Sequence, residues 1–154
     1  MEKTNVMRLL DAAKIKYEPH YYDNTCTDGE TIALLVQRDP EQTFKTLVTV
    51  ANTGEHLVLD VPVNHSLDLK KAAKAAGVKS VAMIKQKELL PLTGYVHGGC
   101  SPIGMKKKFR TFIHETAQVF DTVLCSAGKV GAQIELLPEE LCSYTEAVFA
   151  DIAD

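Results

Sequence analysis

The sequence predicts an α/β domain built as a curved, mixed β-sheet or partial barrel flanked by short helices. Three observations lead there. Two β-branched, apolar runs, 44–51 and 56–63, are separated by Asn52-Thr53-Gly54-Glu55, the composition of a hairpin with a four-residue connection. Three more short strand-like runs crowd residues 109–136, with turn residues between them. Helix and strand signals alternate but never settle into repeated βαβ units, so a doubly wound parallel sheet is disfavoured.

The elements follow in order. Thr4 or Asn5 can cap a first helix whose Val6, Leu9, Leu10 and Ala13 recur at helical spacing. Residues 17–22 read as a short strand broken at Asp23-Asn24, and 31–36 as a short helix that must end before Asp39-Pro40. After the hairpin, Ser66 is placed to cap a helix with a buried stripe of Leu69, Ala72, Ala73 and Ala76, and Gly77 to end it. Residues 78–84 form a strand and 86–92 a short helix stopped near Thr93-Gly94. Strands over 109–113, 122–125 and 133–136 follow, linked by turns at Ala127-Gly128 and Val130-Gly131. Pro138-Glu139-Glu140 then opens a last helix.

Bulk properties narrow the function classes. A chain of 154 residues is expected to form one domain, spanning 1–154, with enough interior to fold without staples. Its four cysteines, Cys26, Cys100, Cys125 and Cys142, show no CxxC pairing, which disfavours zinc and redox motifs and suits a reducing compartment. Met1–Asn5 lacks the apolar centre of a signal peptide. No apolar run approaches the roughly 20 residues that span a bilayer. A cytoplasmic protein with no membrane partner is expected. The net charge of −3 speaks against a general nucleic-acid coat. Cations nevertheless concentrate between Lys70 and Arg110 while the tail is acidic, so any polyanion contact is local.

The densest chemical signal is Gly98-Gly99-Cys100-Ser101-Pro102-Ile103-Gly104, followed by Lys106, Lys107, Lys108 and Arg110. Paired glycines let a backbone approach a ligand closely and aim its N–H groups at one point. The adjoining cations attract phosphate. A tight surface turn beside a solvated basic patch has the same composition. Lys45 leads the side of its strand that carries Leu47, Thr49 and Ala51, where an ammonium held in a cleft can stabilise an oxyanion or grip a phosphate; an exposed strand-end lysine fits the spacing equally. Tyr21 and Tyr22 point to opposite faces, so one of them looks inward or into a cleft. His20, His65, His97 and His114 show no ligand spacing, and no GxSxG elbow is present. Cys100 can be a nucleophile only if a basic neighbour lowers its pKa, and a small buried thiol is the commoner state.

Several ordered segments resemble one family. Phe44-Lys45-Thr46-Leu47-Val48, Leu67-Asp68-Leu69-Lys70-Lys71-Ala72-Ala73, Thr93-Gly94-Tyr95 running into the glycine loop, and Phe149-Ala150-Asp151-Ile152-Ala153 are similar to the YbaK/EbsC family. Gly98 to Pro102 matches its GxxxP element. These are free-standing aminoacyl-tRNA editing domains related to the insertion domain of bacterial prolyl-tRNA synthetases. The resemblance implies removal of cysteine from Cys-tRNA(Pro), and also from Cys-tRNA(Cys), with the substrate's own thiol attacking the ester and with no metal, cofactor or catalytic triad. It implies catalytic roles for Lys45, Gly98, Gly99 and Ser101. Tyr22, Pro102 and Gln133 would shape or line the substrate pocket, and Lys106, Lys107, Lys108 and Arg110 would meet the acceptor stem. Prolyl-tRNA synthetase is the implied protein partner, and DNA is not. Two residues depart from the family pattern. Gln133 stands where relatives carry an acid, with Glu135 nearby on the same side if the strand is regular, and Cys100 replaces an apolar residue. A deacylase for another mischarged pair such as Ala-tRNA(Pro), and a non-catalytic module that binds tRNA or a synthetase, are the competing readings.

Overall fold

The computed structural model describes residues 2–154 as two sheets with five α-helices around them. Helix α1 (Asn5–Ala12) starts because the Thr4 hydroxyl accepts the Met7 N–H at 3.2 Å, and it buries Val6, Met7 and Leu10. Strand β1 (Glu18–Tyr21) follows. Helix α2 (Gly29–Leu35) begins two residues earlier than its apolar pattern indicates, because Asp28 caps it through the Thr31 N–H. The hairpin forms as predicted from β2 (Phe44–Ala51) and β3 (His56–Pro62), in antiparallel register with Lys45 opposite Val61 and Thr46 opposite Asp60.

Helix α3 (Leu69–Ala76) is capped by Asp68, not Ser66. The Asp68 carboxylate takes the Lys70 and Lys71 N–H groups, both at 3.0 Å, whereas Ser66 lies outside the helix and its N–H reaches Asp154. Gly77, at φ +71, ends it as expected. The strand read over 78–84 shrinks to β4 (Val81–Met83), and the helix of 86–92 divides into a 3₁₀ turn and α4 (Leu89–Thr93). Strands β5 (Arg110–His114), β6 (Val123–Lys129) and β7 (Ala132–Leu136) precede α5 (Pro138–Thr145) and a final strand β8 (Val148–Ala150).

The larger sheet runs β4-β2-β3-β5-β8, with β5 and β8 joining in parallel, and the smaller runs β1-β7-β6, all antiparallel. The expected mixed α/β architecture with flanking helices is present, its strands divided between two sheets. One isolated backbone bridge, Thr43 to Leu124, links the halves, and no closed barrel forms among the described residues. One face of the large sheet, with Phe44 and Ile113, packs against the small sheet's Cys125, Ala132 and Ile134 and against α1. Its other face, with Leu57, Leu59 and Val61, buries the alanine stripe of α3. Ile152 and Ala153 join that second cluster, and the Ile152 N–H donates to His114 Nδ1 at 3.2 Å, which ties the C-terminal segment to β5.

Candidate active site

Strand β4 pairs only with Thr49–Ala51, so the first half of β2 has no strand beside it on that side. A cleft of about 150 Å³ opens along this free edge. Lys45 and Thr46 line it from β2, Gly98 and Cys100 from the glycine loop, and Ser126 and Gln133 from the small sheet. Consecutive strand residues point to opposite faces. Lys45 and Thr46 both reach the cleft because it wraps around the strand's edge.

The loop is shaped by its two glycines. The Gly99 N–H donates to Val96 O at 3.0 Å, closing a turn whose third residue, Gly98, sits at φ +86. A Cβ on Gly98 would lie 2.7 Å from Thr27 Cγ2, and one on Gly99 3.1 Å from the Val130 nitrogen and 3.3 Å from the Lys129 backbone. The pair thus lets the loop seat against the β6–β7 turn with no side chain between them. With the Gly99 N–H used in the turn, those of Gly98, Cys100 and Ser101 have no protein acceptor among the described residues. Ser101 is fully buried and does not line the cleft; its hydroxyl accepts the Ile103 N–H at 3.2 Å and braces the bend. Pro102, also buried, lies on the far side of that bend beside Ile103 and Gly104, and the Tyr95 hydroxyl donates to Ile103 O.

The charges around the cleft are sparse. Lys45 forms no ion pair among the described residues. The Thr31 hydroxyl and N–H hold the nearby Asp28 carboxyl below its usual range, with a smaller contribution from the Lys45 charge. Cys100 is 8% exposed, and burial pushes its thiol up to about 12. It is a neutral packing group here rather than a nucleophile. His97 lines the mouth and is exposed.

Gln133 and Glu135 share a face of β7, opposite His20 and Glu18 of β1, but their partners differ. The Glu135 carboxylate accepts from Thr122 Oγ1 (2.6 Å) and Arg38 Nε (3.0 Å) and bonds His20 Nε2 (2.8 Å). Burial pushes its pKa upward, and these three bonds more than offset that, holding it below the usual carboxylate range. Glu135 is therefore consumed by its neighbours. Gln133 is only 5% exposed, faces the cleft and has no partner for its Oε1. Glu18, His20 and Glu135 bring ligand atoms within 4.8 Å of one another, but the Arg38 guanidinium on Glu135 opposes any cation there.

The remaining predicted residues lie outside the cleft. Tyr22 sits beside Asn24 and the Lys129–Ala132 turn, donating its N–H to Gly131 O, with its hydroxyl buried and unpartnered. None of the four cations of the basic tract lines the cleft. Lys108 pairs with Glu146 at 2.5 Å, and Arg110 clasps both oxygens of Glu55 at 2.8 and 2.9 Å. Lys106 and Lys107 are exposed and form no ion pair among the described residues. Sequence reasoning missed Thr46, Ser126 and the buried Asp60 behind Thr46. Only Asp60 carried a signal, as a lone acid inside the apolar run 57–63.

Known proteins resemble this chain in sequence and in fold. The family model described as an aminoacyl-tRNA editing domain matches residues 24–144. A protein of Enterococcus faecalis named "Putative Cys-tRNA(Pro)/Cys-tRNA(Cys) deacylase EbsC" is 44% identical over 153 residues, covering 98% of this chain and 93% of its own. Two crystal structures share the fold at lower identity. One, of "a putative trans-editing enzyme for prolyl tRNA synthetase", superposes with a TM-score of 0.85 at 23% identity, covering 100% of this chain and 99% of that one. The other, of the "hypothetical protein APE2540", gives 0.90 at 22%, covering 98% and 100%. The family model spans every residue lining the cleft and the whole glycine loop, and the chain belongs to the aminoacyl-tRNA editing domain family.

Proposed function

We propose that this protein is a trans-editing deacylase that removes cysteine from mischarged Cys-tRNA(Pro), with Cys-tRNA(Cys) as a further substrate and prolyl-tRNA synthetase as its working partner. One observation carries the reading: Lys45 and the Gly98–Cys100 loop meet in a single cleft, in a chain 44% identical to a protein named for this activity. The need for such an enzyme is physical. Cysteine and proline are close in size, and an apolar pocket separates such pairs by only about 10–200-fold, so a second sieve must clear the error.

The cleft suits a reaction in which the substrate brings its own nucleophile. The cysteine sulfur attacks the ester carbonyl, the bond from that carbon to the ribose oxygen breaks, and the thiol proton leaves with the ribose hydroxyl. A cyclic thioester departs, or water opens it to free cysteine. In this chemistry the protein holds the ester in an attack geometry and stabilises the charge on the carbonyl oxygen. The Gly98 and Cys100 N–H groups and the Lys45 ammonium supply that stabilisation. Gly99 sets the turn, Ser101 and Pro102 brace the loop, and Tyr22 supports the β6–β7 turn against which the loop rests. Lys106 and Lys107 offer charge to the acceptor stem, while Lys108 and Arg110 beside them are already paired with Glu146 and Glu55.

The test is release of labelled cysteine from Cys-tRNA(Pro) by wild type and Lys45→Ala. Loss of one preorganised charge interaction should lower kcat/KM by about 100-fold. Ala-tRNA(Pro), which has no thiol, should stay intact. Equal rates for wild type and Lys45→Ala would overturn the site. Equal cleavage of the alanyl ester would overturn the mechanism.

A further inference from the structure

Behind the cleft, Thr46 donates its hydroxyl proton to Asp60 Oδ1 at 2.5 Å across the β2–β3 ladder. Asp60 is fully buried, and its Oδ2 has no partner. A threonine hydroxyl has a single proton. Once that proton is committed to Asp60, Thr46 Oγ1 presents only lone pairs to the cleft it lines. The small sheet contributes Gln133, 5% exposed, whose Oε1 also lacks a partner. A buried acceptor left unpaired is costly, and one that faces a ligand cleft is relieved when a donor arrives.

We propose that Thr46 Oγ1 and Gln133 Oε1 supply the acceptors of a subsite for the α-ammonium of the aminoacyl group, and that Asp60 is the positioning residue that keeps Thr46 in its accepting state. This rests on the proposed function above and extends it to the orientation of the substrate. Ammonium is the donor-rich group of any aminoacyl ester, and it carries a positive charge that the Lys45 side of the cleft repels. Holding it on the Thr46–Gln133 side turns the ester carbonyl toward Lys45 and the loop N–H groups. An amide at position 133 is neutral, so its acceptor is present at every working pH.

The test uses two ligands and two readouts. Cleavage is measured on Cys-tRNA(Pro) and N-acetyl-Cys-tRNA(Pro). Binding is measured by calorimetry on 3′-deoxy-3′-(cysteinylamino)adenosine, a stable amide, and on its N-acetyl form. Wild type should favour the free amine by about tenfold or more in both readouts, the worth of a hydrogen bond to a charged group. Thr46→Val, Gln133→Leu and Asp60→Ala should each erase most of that preference while changing the N-acetyl ligands little. Asp60→Asn, whose carbonyl can still accept from Thr46, should stay within about threefold of wild type. Adding Asp60→Ala to Thr46→Val should cost nothing further, since Asp60 acts through Thr46. Equal handling of free and acetylated amine by wild type would overturn the subsite. An Asp60→Ala loss that persists in the Thr46→Val background would overturn the positioning role. If Asp60→Ala does not fold, Thr46→Val and Gln133→Leu decide the matter. An amine preference in binding without cleavage would leave the subsite standing and sink the deacylase reading.

Discussion

Asp60 should make the protein more stable as the pH falls from 8 to 5, and Asp60→Asn should remove that dependence. Burial raises the Asp60 carboxyl from 3.8 to about 7, and the Thr46 hydroxyl opposes the shift only in part. The folded protein therefore binds a proton between these two values that the unfolded chain has released. Stability from the neutral carboxyl is fully present below about 4 and is lost as the pH rises through 7. A rise of this size corresponds to about 4 kcal/mol of stability missing at pH 8. The nearest thiols do not complicate the window: burial pushes Cys100 up to about 12 and Cys125 well above its ordinary value. In Asp60→Asn the amide carbonyl can keep the Thr46 bond, but the NH₂ group replaces an oxygen that already lacks a partner, costing about 1–3 kcal/mol. The net expectation at pH 8 is a variant about 1–3 kcal/mol more stable than wild type, a rise of about 2–4 °C in Tm for each kcal/mol. At pH 4.5 the order should reverse. Urea and thermal unfolding of both proteins across pH 4.5–8 measure the difference, and contributions from other titrating groups cancel in it. Parallel stability curves would refute the reasoning, because they would mean Asp60 ionises alike in both states.

Gly99→Ala should lower kcat/KM for Cys-tRNA(Pro) by at least about tenfold, because its Cβ, 3.1 Å from the Val130 nitrogen, forces the loop away from the β6–β7 turn. The stability loss should stay within about 1–3 kcal/mol, and steady-state kinetics beside thermal melts separate the two effects. Cys100→Ala should keep its rate within about threefold, since a neutral thiol contributes no nucleophile; a 100-fold loss in the same assay would assign Cys100 a chemical role. Replacing Lys106 and Lys107 by alanine should flatten the salt dependence of tRNA binding by about 0.7–0.9 in log–log slope for each phosphate left without its cation. Lys108→Ala should change it less, because Glu146 already neutralises that ammonium. Filter binding from about 50 to 300 mM salt, the range over which counterion release dominates such affinities, reads both.

Signals in the sequence are reliable where they are strong and short-ranged. The β2–β3 hairpin, the Gly77 cap and the alanine stripe of α3 depend on neighbours within a few residues, and they stand as the pattern indicates. The α3 cap falls on Asp68 rather than Ser66 because both residue types cap well, and only the position of the chain relative to Asp154 separates them. Strand β8 is invisible as a strand in the sequence: its three residues pair in parallel with β5, Val148 beside Phe112, and no local pattern reveals so distant a partner. The split into two sheets has the same origin. At the site, Lys45, Gly98 and Gln133 are legible and do meet. Thr46 is not, since its role depends on a cross-strand bond to Asp60. Nor does the basic tract advertise that Glu55 and Glu146, remote in sequence, already occupy two of its cations.

The cleft is built from the incompleteness of the large sheet. Had β4 run alongside residues 44–47, it would have covered the edge at which Lys45 and Thr46 both border the cleft. Because β4 stops at Thr49, the glycine loop takes its place, and a loop with Gly98 and Gly99 can come close without filling the space with side chains. The result is a cleft with two chemically opposite walls. Donors lie on the Lys45 and loop side; on the other, Gln133 Oε1 has no partner and Thr46, its proton given to Asp60, can only accept. Such a site needs no protein nucleophile to be selective. On the function and subsite proposed above, it would favour a ligand with a carbonyl at one end and an ammonium at the other, and among aminoacyl esters held that way only one with a thiol within reach of its own carbonyl would be cleaved.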